Sequence, residues 1–528
     1  MGKTFNTTGI CFPAKHYMVD LSGRLEQIAR MVDAGRYFCI NRARQYGKST
    51  VIYGLSRLLA ERYMVFSLSF QRMSAAKFRD EDTFCRAFIS RMQQSLAIQG
   101  QQEPWPEYMD ILAARAADLH RPLDLTDMFD DISLLCAHSP KPMILIIDEV
   151  DNACNNQIFV DFLGQLRDLY LNRELTPTFR SVILVGVYNV KNLRLKGQNG
   201  GEHRYNSPWN IADDFTMDMR FHPEDIAGML REYESARHTG MDIAAMSRMI
   251  FDYTDGYPYM VSRLCKLLDE RIPETDSIPR RDVWTKEGLL AAIRLFLKEP
   301  NTLFEDMVKK LDEYPDLKEK ISYILFRGTK YTFEIDSRFA SIGCMFGFLK
   351  EDNGFVSIAN RLFETKLYNL LLAESEGHNE LNPPDAKSQF IVQGMLQMDL
   401  VMQKFYQYFE DIFAGSSDKF IEDEGRRIFL MFLRPIINGA GNYYIEAQTR
   451  DKTRTDVIVD FRGQQFVIEL KLWYGQAYLQ RGEKQLFEYL ETYGLQRGYL
   501  LSFSFNKHKQ TGIAEIAYGN RQIMEVTV

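Results

Sequence analysis

The stretch YFCINRARQYGKST, residues 37–50, decides the fold class of the first half of the chain. Its first four residues form an apolar run typical of a buried strand, and the residues from Ser49 onward have helical spacing. Gly47, Lys48 and Ser49 thus lie between a strand and a helix, where the backbone N–H groups of a helix N-terminus receive phosphate groups. At such a place Lys48 reaches the β- and γ-phosphates of a nucleotide, and Ser49 holds Mg²⁺.

The stretch departs from the usual phosphate-loop motif at its start. That motif has Gly five positions before its second Gly, and here residue 42 is Arg. Gly-Lys-Ser without the first Gly is also compatible with an ordinary helix start. The prediction of a nucleotide site therefore needs a second motif.

The second motif lies at residues 143–149, which read MILIIDE. The apolar residues predict a buried strand, and two carboxylates follow at its C-terminal end. Asp148 is placed to help bind Mg²⁺ through water, and Glu149 to polarise the attacking water in phosphoryl transfer. A solvated strand end would explain either carboxylate alone. The two motifs in this order predict binding of ATP with Mg²⁺.

A third polar candidate follows the apolar run at 183–187. Tyr188 or Asn189 is placed to sense the γ-phosphate, and a role as an ordinary loop residue explains either of them equally well. Ser49 and Asp148 are the predicted metal ligands of this site, and Glu149 is its predicted catalytic residue. The predicted nucleotide-binding residues are Arg42, Arg44, Gln45, Tyr46, Gly47, Lys48, Ser49, Thr50, Asp148 and Asn189.

The spacing of apolar residues predicts the architecture around these motifs. Buried apolar runs separated by amphipathic segments imply a mostly parallel sheet with helices on both faces. Residues 221–270 have all-helical spacing, and Gly-Tyr-Pro at 256–258 is placed to bring a lid or winged helix close to the nucleotide. An ordinary helix-entry turn is the alternative for this tripeptide. The predicted strands are 37–40, 64–70, 143–147 and 181–187, and the predicted helices beside them are 21–32 and 49–61.

The pattern changes in residues 285–372. Helical segments surround a short predicted strand at 332–335, and a hairpin follows at 347–358 with Asn-Gly as its turn signal. Helices followed by a two-stranded wing predict a winged-helix module. The next segment, 373–387, is polar and contains a Pro-Pro pair, which predicts a linker.

The most specific chemical pattern is RTDVIVDFRGQQFVIELK, residues 454–471. Taking residues 463–464 as a two-residue hairpin loop places Asp456 opposite Lys471. Directly opposed residues share a face of the sheet, and so do residues two apart on one strand. Asp456, Glu469 and Lys471 are therefore expected on one face of the hairpin.

Two carboxylates and a lysine on one face suit metal-dependent phosphodiester chemistry. Asp456, Glu469 and the carbonyl of Leu470 are predicted oxygen ligands for one or two Mg²⁺ ions. Such a metal lowers the pKa of bound water, and Lys471 is placed to orient the nucleophile and stabilise the charge of the transition state. A cross-strand ion pair between Asp456 and Lys471 on a solvated sheet is the alternative.

The first group of motifs carries a family resemblance. Residues 37–50, the IIDE strand and GYPYMVSRLCKLLDE at 256–270 look like the AAA-ATPase-like family of bacterial proteins. In that family the loop often has Arg and aromatic residues before Gly-Lys-Ser, which accommodates Arg42. The resemblance covers about residues 15–270, and it implies a P-loop ATPase core with ATP and Mg²⁺ as cofactors.

The C-terminal pattern resembles the PD-(D/E)XK nuclease superfamily, with Asp456 and the triplet 469–471 as the core motif. Thr455 stands where that name has Pro. The resemblance implies two further catalytic residues: Glu424, near the start of a helix, and Gln485, which would donate a hydrogen bond or position water. A carboxylate that only favours its helix N-terminus is the alternative for Glu424.

Together these patterns predict an α/β protein. Its P-loop ATPase core would carry a helical lid and a winged helix, followed by a separate α/β restriction-endonuclease-like domain. The predicted boundaries are 1–220 for the ATPase core, 221–284 for the lid, 285–372 for the winged helix, 373–390 for the linker and 391–528 for the nuclease-like domain.

Composition limits the partners. The 528 residues include 64 Lys and Arg against 71 Asp and Glu, a net charge of −7, so the chain is no general polyanion binder. A nucleic-acid contact would need a local basic surface, such as the cluster at 450–454. Seven scattered cysteines without a CxxC pair predict reduced thiols, and no apolar run approaches the ~20 residues of a membrane span. We predict a cytoplasmic protein without a membrane partner.

The leading hypothesis is an ATP-binding and ATP-hydrolysing protein whose nuclease-like domain cleaves nucleic acid, with DNA favoured over RNA. The alternative is a nucleotide-switched regulator whose nuclease-like domain binds without catalysis. A DNA-reading winged helix is disfavoured, because residues 285–372 contain no strongly basic stretch. The sequence leaves a homo-oligomer open.

Overall fold

The computed structural model describes most of the chain. The residues it describes are 2–98, 107–188, 194–196, 202–204, 208–275, 278–327, 329–334, 336–376, 390–413, 422–437, 441–448, 454–472, 476–504 and 511–528. They form two compact units. The first unit is Met1–Arg237 with Gly256–Lys266 and Met345–Gly347, and the second is His238–Asp255, Leu267–Cys344 and Phe348–Val528.

The chain up to residue 266 contains most of the first unit and, at His238–Asp255, a part of the second. Its elements are β1 (Thr4–Phe5), β2 (His16–Tyr17), α1 (Ser22–Asp33), β3 (Phe38–Asn41), α2 (Lys48–Leu59), β4 (Met64–Ser69), α3 (Glu81–Ile98), α4 (Glu107–Ala117), α5 (Leu125–His138), β5 (Met143–Asp148), α6 (Gln157–Leu171), β6 (Ser181–Gly186), β7 (Arg194–Lys196), β8 (Glu202–Arg204), α7 (Pro223–Arg237), α8 (Ile243–Thr254) and α9 (Pro258–Lys266).

The rest of the chain contains helices first and strands later. Its elements are α10 (Lys286–Lys298), α11 (Thr302–Glu313), α12 (Pro315–Arg327), α13 (Arg338–Met345), β9 (Leu349–Asp352), β10 (Phe355–Ile358), α14 (Arg361–Glu376), β11 (Ile391–Val392), β12 (Met395–Leu396), α15 (Met398–Phe413), α16 (Glu422–Ile437), β13 (Gly441–Gln448), β14 (Arg454–Phe461), β15 (Gln464–Leu472), α17 (Gln476–Tyr493), β16 (Arg497–Phe503), β17 (Gly512–Tyr518) and β18 (Arg521–Thr527).

The first unit is built on a four-stranded parallel sheet in the order β3-β6-β5-β4. Its strands are the apolar runs predicted from the sequence, so the prediction of a parallel sheet is confirmed. Alternate residues of β5 enter the two hydrophobic cores: Leu145 packs with residues of α3, α5 and α6, whereas Ile144 and Ile146 pack with residues of α1 and α2. Helices on both faces explain why these strands are apolar throughout.

The predicted helices beside this sheet are also present. The segment predicted at 21–32 forms α1, and the segment predicted at 49–61 forms α2. Residues 221–270 are helical over α7, α8 and α9, as expected. The carboxyl ends of parallel strands meet at one edge of the sheet, so β3, β5 and β6 deliver the residues that follow them to a common place.

The second unit contains the predicted helix-rich region and its hairpin. β9 and β10 pair antiparallel, and the turn between them is Asn353-Gly354 with φ of +52° and +83°, as the Asn-Gly signal indicated. The prediction of a short strand at 332–335 was wrong. Among the described residues of this segment, Thr332 makes only an isolated bridge to Phe355. Of the predicted linker, residues 373–376 instead form the end of α14, and residues 377–389 lie outside the described part of the chain.

The C-terminal strands form a six-stranded mixed sheet in the order β13-β14-β15-β16-β18-β17. The predicted register of its hairpin was wrong by two residues. The loop is Arg462-Gly463, both with positive φ (+47° and +85°), so Phe461 pairs with Gln464. A two-residue turn of this type puts Gly at its second central position. Because the shift is even, every residue stays on the face predicted for it.

No helix among the described residues is both long and apolar enough to cross a membrane.

Candidate nucleotide site and C-terminal carboxylate site

The loop between β3 and α2 curls around the amine of Lys48. Gly47 begins the helix in the left-handed region with φ of +78°. The Nζ of Lys48 donates hydrogen bonds to the carbonyl oxygens of Arg42 and Ala43, at 2.9 and 2.8 Å. Burial lowers the pKa of Lys48, and the carboxylates of Glu149 and its neighbours act in the opposite direction. The loop therefore holds a buried cation at the N-terminus of α2.

Asp148 and Glu149 meet this loop from the end of β5. The hydroxyl of Ser49 donates to Oδ2 of Asp148 at 3.3 Å, and the N–H of Glu149 donates to Oδ1 of Asp148 at 2.9 Å. Burial raises the pKa of both carboxyls, and their proximity adds to the rise at Glu149. A hydroxyl and a carboxylate are oxygen donors of the kind Mg²⁺ prefers, so these residues fit the predicted metal.

A cavity of about 450 Å³ lies at this edge of the sheet. Eight consecutive residues, 44–51 from the loop and the start of α2, line it together with Glu149. Residues of the N-terminal segment and of the start of α9 line it too. The lining residues include Arg24, Arg44, Gln45, Tyr46, Gly47, Lys48, Ser49, Thr50, Glu149, Phe221, Pro258, Tyr259 and Ser262. Most of the predicted nucleotide-binding residues thus surround one cavity.

Three predicted residues are not among the lining residues. One is Asp148, which contacts the lining residue Ser49; the others are Arg42 and Asn189. The guanidinium of Arg42 donates to the carbonyl of Met217 at 2.6 Å and stacks over the ring of Phe215, and it is not among the lining residues. Its role in nucleotide binding stays a prediction. Asn189 lies outside the described residues.

The segment beginning at Gly256 packs directly on the phosphate loop. Gly256 has φ of +71°, and a Cβ there would lie 2.4 Å from the carbonyl oxygen of Phe221, so only Gly fits. The hydroxyl of Tyr257 donates to the carbonyl of Arg44, and Pro258 approaches Gly47. The sequence indicated a lid near the nucleotide at this segment, and within the first unit the segment lines the cavity.

The N-terminal segment is a part of the site that the sequence did not indicate. β1 pairs with β2, and the rings of Phe5, Tyr17 and Tyr233 cluster with centroids 5.1–5.2 Å apart. The N–H of Cys11 donates to the hydroxyl of Thr50 at 3.1 Å. Strands of two residues are too short to show a periodic pattern of apolar residues. In the sequence, only the aromatic residues Phe5 and Tyr17 could have indicated that this segment is packed.

Asp151 also belongs to the site and was not predicted from the sequence. Its carboxylate accepts the N–H groups of Val187, at 2.8 and 3.0 Å, and Tyr188, at 2.8 Å. A Cβ on Gly186 would lie 2.8 Å from this carboxylate, so Gly186 leaves room for it. Asp151 thereby ties the turn after β5 to the end of β6. The sequence DEVD at 148–151, with Asp151 three residues after Asp148, could have indicated this role.

The C-terminal sheet carries the other predicted site. Glu469 on β15 is buried, with 1% of its side chain exposed, and its Oε1 lies 2.7 Å from Nζ of Lys471, which is 16% exposed. Continuing the observed register by one step places the backbone of Asp456 opposite Glu469. The side chains of Asp456 and Glu424 lie outside the described part of the structure.

Helix α17 covers this face of the sheet. A Cβ on Gly482 would lie 3.3 Å from Cγ of Lys471, so Gly482 lets the helix approach the lysine. Gln485 follows three residues later and shares that helix face. Leu470 is buried with its side chain on the opposite face of β15. Among the described residues, no group of three or more His, Cys, Asp or Glu is arranged to hold a metal.

Residues 14–365, more than half of the 528-residue chain, match the family described as the AAA-like domain. The chain belongs to the AAA-like domain family. The match confirms the resemblance seen in the phosphate loop and extends it through the helix-rich region and its hairpin. The family and the loop geometry support a nucleotide-binding ATPase. No curated protein shows significant similarity to this AAA-like chain.

Several solved structures are similar to part of this chain. A Walker-type ATPase of Pyrococcus abyssi is 13% identical, with a TM-score of 0.44 over 69% of this chain and 99% of its own. Cdc6p from Pyrobaculum aerophilum is 14% identical, with a TM-score of 0.33 over 70% and 97%. The RuvB Holliday junction branch migration motor of Thermotoga maritima is 11% identical, with a TM-score of 0.31 over 67% and 95%. The family assignment does not depend on these weaker similarities.

Proposed function

We propose that this protein binds ATP with Mg²⁺ in the cavity of the first unit and hydrolyses it. One observation carries the proposal: Lys48, Ser49, Asp148 and Glu149 come from two strand ends and meet beside one cavity. A bound Mg²⁺ would neutralise charge developing on the phosphates. Ser49 and Asp148 would hold it, Lys48 would bind the phosphates, and Glu149 would orient the attacking water.

Lys48→Ala is expected to weaken ATP binding by more than tenfold and to abolish hydrolysis. The amine is buried and held by two loop carbonyls, so its loss removes the positive charge at the phosphate position. The measurement is calorimetric titration with ATP and phosphate release. Lys77→Ala, at an exposed lysine of the same unit, is the matched control. Equal ATP affinity in the two variants would refute this assignment.

For the C-terminal sheet we propose a metal-dependent nuclease that acts on nucleic acid, DNA in preference to RNA. The supporting observation is the ion pair of Glu469 and Lys471, buried beneath α17, with the backbone of Asp456 at the adjacent register position. Taking both charges of an ion pair out of water is costly, which favours a functional reason for burying this one. We also propose that the protein has the domain boundaries predicted above, that it is cytoplasmic and that it self-associates.

The runner-up is a nucleotide-switched regulator in which this sheet binds nucleic acid or protein without cleaving it. Titration with Mn²⁺ and cleavage of DNA and RNA, with and without ATP, separate the two. The nuclease predicts that Asp456→Ala removes one Mn²⁺-binding event and the cleavage, whereas Glu488→Ala, on an exposed side of α17, removes neither. Wild-type protein that neither binds Mn²⁺ at this sheet nor cleaves would favour the regulator.

A further inference from the structure

Arg42 stands where the usual phosphate-loop motif has its first Gly, yet its backbone does not require Gly. The N–H of Arg42 donates to the carbonyl of Gly186 at 3.1 Å, so this residue continues β3 alongside the end of β6. The loop turns through the left-handed region only later, at Gln45 and Gly47, with φ of +57° and +78°. A side chain at residue 42 therefore costs no backbone strain.

The side chain of Arg42 reaches the segment that flanks β3 on the side away from β6. This edge segment, residues 213–221, bridges to β3 in parallel at its first residue. The guanidinium donates to the carbonyl of Met217 at 2.6 Å and lies over the ring of Phe215, with Cζ 5.2 Å from the ring centroid. A hydrogen bond from a charged donor is stronger than one between neutral groups, so this contact ties the loop firmly to the edge segment.

Arg42 also connects this contact to Lys48. The carbonyl of Arg42 accepts a hydrogen bond from Nζ of Lys48 at 2.9 Å. A second guanidinium nitrogen donates to the carbonyl of Asn41 at 2.8 Å, which fixes the side chain against the end of β3. The lysine assigned to the phosphates and the edge segment are therefore both held by one residue, the first through its main chain and the second through its side chain.

The edge segment continues from this contact to the wall of the cavity. Phe221 lines the cavity, and its N–H donates to the carbonyl of Gly256 at 2.9 Å. Tyr257, the next residue, donates its hydroxyl to the carbonyl of Arg44. The phosphate loop is thus fastened at two points, by Arg42 to the edge segment and at Arg44 to the segment that leads into α9.

We propose that Arg42 is a positioning residue that does not touch the nucleotide but locks the phosphate loop against the edge segment, in the conformation that accepts the phosphates. This rests on the proposed binding of ATP. Without the lock the loop would sample other conformations, and the apparent affinity for ATP falls in proportion to the fraction of molecules with a competent loop. Bound ATP holds the loop through its own contacts, so turnover at saturating ATP should change little.

The test compares Arg42→Met, Arg42→Lys and the control Arg36→Met. Arg36 links the start of β3 to the same edge segment through an exposed ion pair with Asp213, at 3.3 Å. Arg42→Met is expected to weaken ATP binding in calorimetry by roughly tenfold, the effect of losing one hydrogen bond from a charged donor, and to leave kcat within about twofold. Arg42→Lys restores a cationic donor and should recover most of the affinity, and Arg36→Met should change neither value.

Hydrogen exchange of the nucleotide-free proteins measures the loop without any turnover. In Arg42→Met the backbone amides of residues 42–51 should exchange faster than in the wild type, because the loop opens locally more often. Saturating ATP should slow this exchange again. The amides of β5 and β6 should keep the protection of the wild type, and Arg36→Met should leave the loop unchanged.

Three results would overturn the proposal. In the first, Arg42→Met keeps the ATP affinity and the loop exchange of the wild type. In the second, it loses kcat at saturating ATP with unchanged affinity, as expected for a group that acts in the transition state. In the third, exchange rises throughout the first unit, so that Arg42 supports only the stability of the fold. Wild-type protein that binds no ATP would instead overturn the proposed function, and the role of Arg42 with it, and the wild-type titration alone distinguishes this failure from the other three.

Discussion

Glu149→Gln is expected to reduce kcat for ATP by roughly 10²–10⁴-fold, the contribution typical of a general base, while ATP binding persists. The amide keeps the size of the side chain and removes its ability to accept a proton. ATP binding should persist because Lys48, Ser49 and Asp148 remain in place beside the cavity. Binding measured by calorimetry and turnover measured by phosphate release separate the two effects.

The pH dependence of the wild type gives a second readout of the same residue. Burial raises the pKa of Glu149, and Asp148 raises it further. A general base must be deprotonated, so activity is lost as the pH falls through this pKa. The acid limb of kcat should therefore lie at higher pH than for an ordinary glutamate, and Glu149→Gln should lack that limb.

Glu61→Gln, at an exposed glutamate of the same unit, is the matched control and should change neither kcat nor its pH profile. If Glu149→Gln behaved like this control, Glu149 would have no part in the chemistry. The water would then have to be oriented by another group at the cavity, and Asp148 would be the first to test.

The sequence predicted the sheet of the first unit because each strand is buried on both faces and therefore apolar along its whole length. The same reasoning placed Lys48 and Glu149 together, since parallel strands end at one edge. It could not find the cavity wall formed by the N-terminal segment. Phe5 and Tyr17 meet Tyr233 only through the tertiary fold, and no local pattern records such a contact.

Arg42 shows the limit of reading a loop from its motif. It lies at the degenerate position of the phosphate loop, yet its guanidinium turns to the carbonyl of Met217, far along the chain. Arg44, two residues later, lines the cavity. Both side chains are long and flexible, so their directions depend on partners that the loop sequence does not contain.

The C-terminal hairpin shows a different limit. The alternation of its strands fixed which residues share a face, and that survived the error in register. The loop itself was misplaced, because Arg462 takes a positive φ that sequence statistics favour for Gly or Asn. The observed register brings Asp456 opposite Glu469, so the two predicted metal ligands are direct neighbours along the ladder.

Lys471→Met is expected to lower the free energy of unfolding by about 3–5 kcal/mol, because it removes the cation that lies 2.7 Å from the buried carboxylate of Glu469. The exposed pair Lys484 and Glu488 provides the control. Its atoms lie 3.9 Å apart and its side chains are 73% and 50% exposed, so Lys484→Met should cost at most about 1 kcal/mol. Chemical denaturation measures both values.

The double variant Glu469→Gln with Lys471→Met separates structure from catalysis. It removes both charges, so most of the lost stability should return, and the coupling in the double-mutant cycle should exceed about 1 kcal/mol. Cleavage of nucleic acid should stay absent in both single variants and in the double variant, because a stable fold does not replace the missing groups. An ion pair that is only structural would behave differently. In that case a stable double variant would retain whatever cleavage the wild type shows, and the nuclease assignment of this pair would fall.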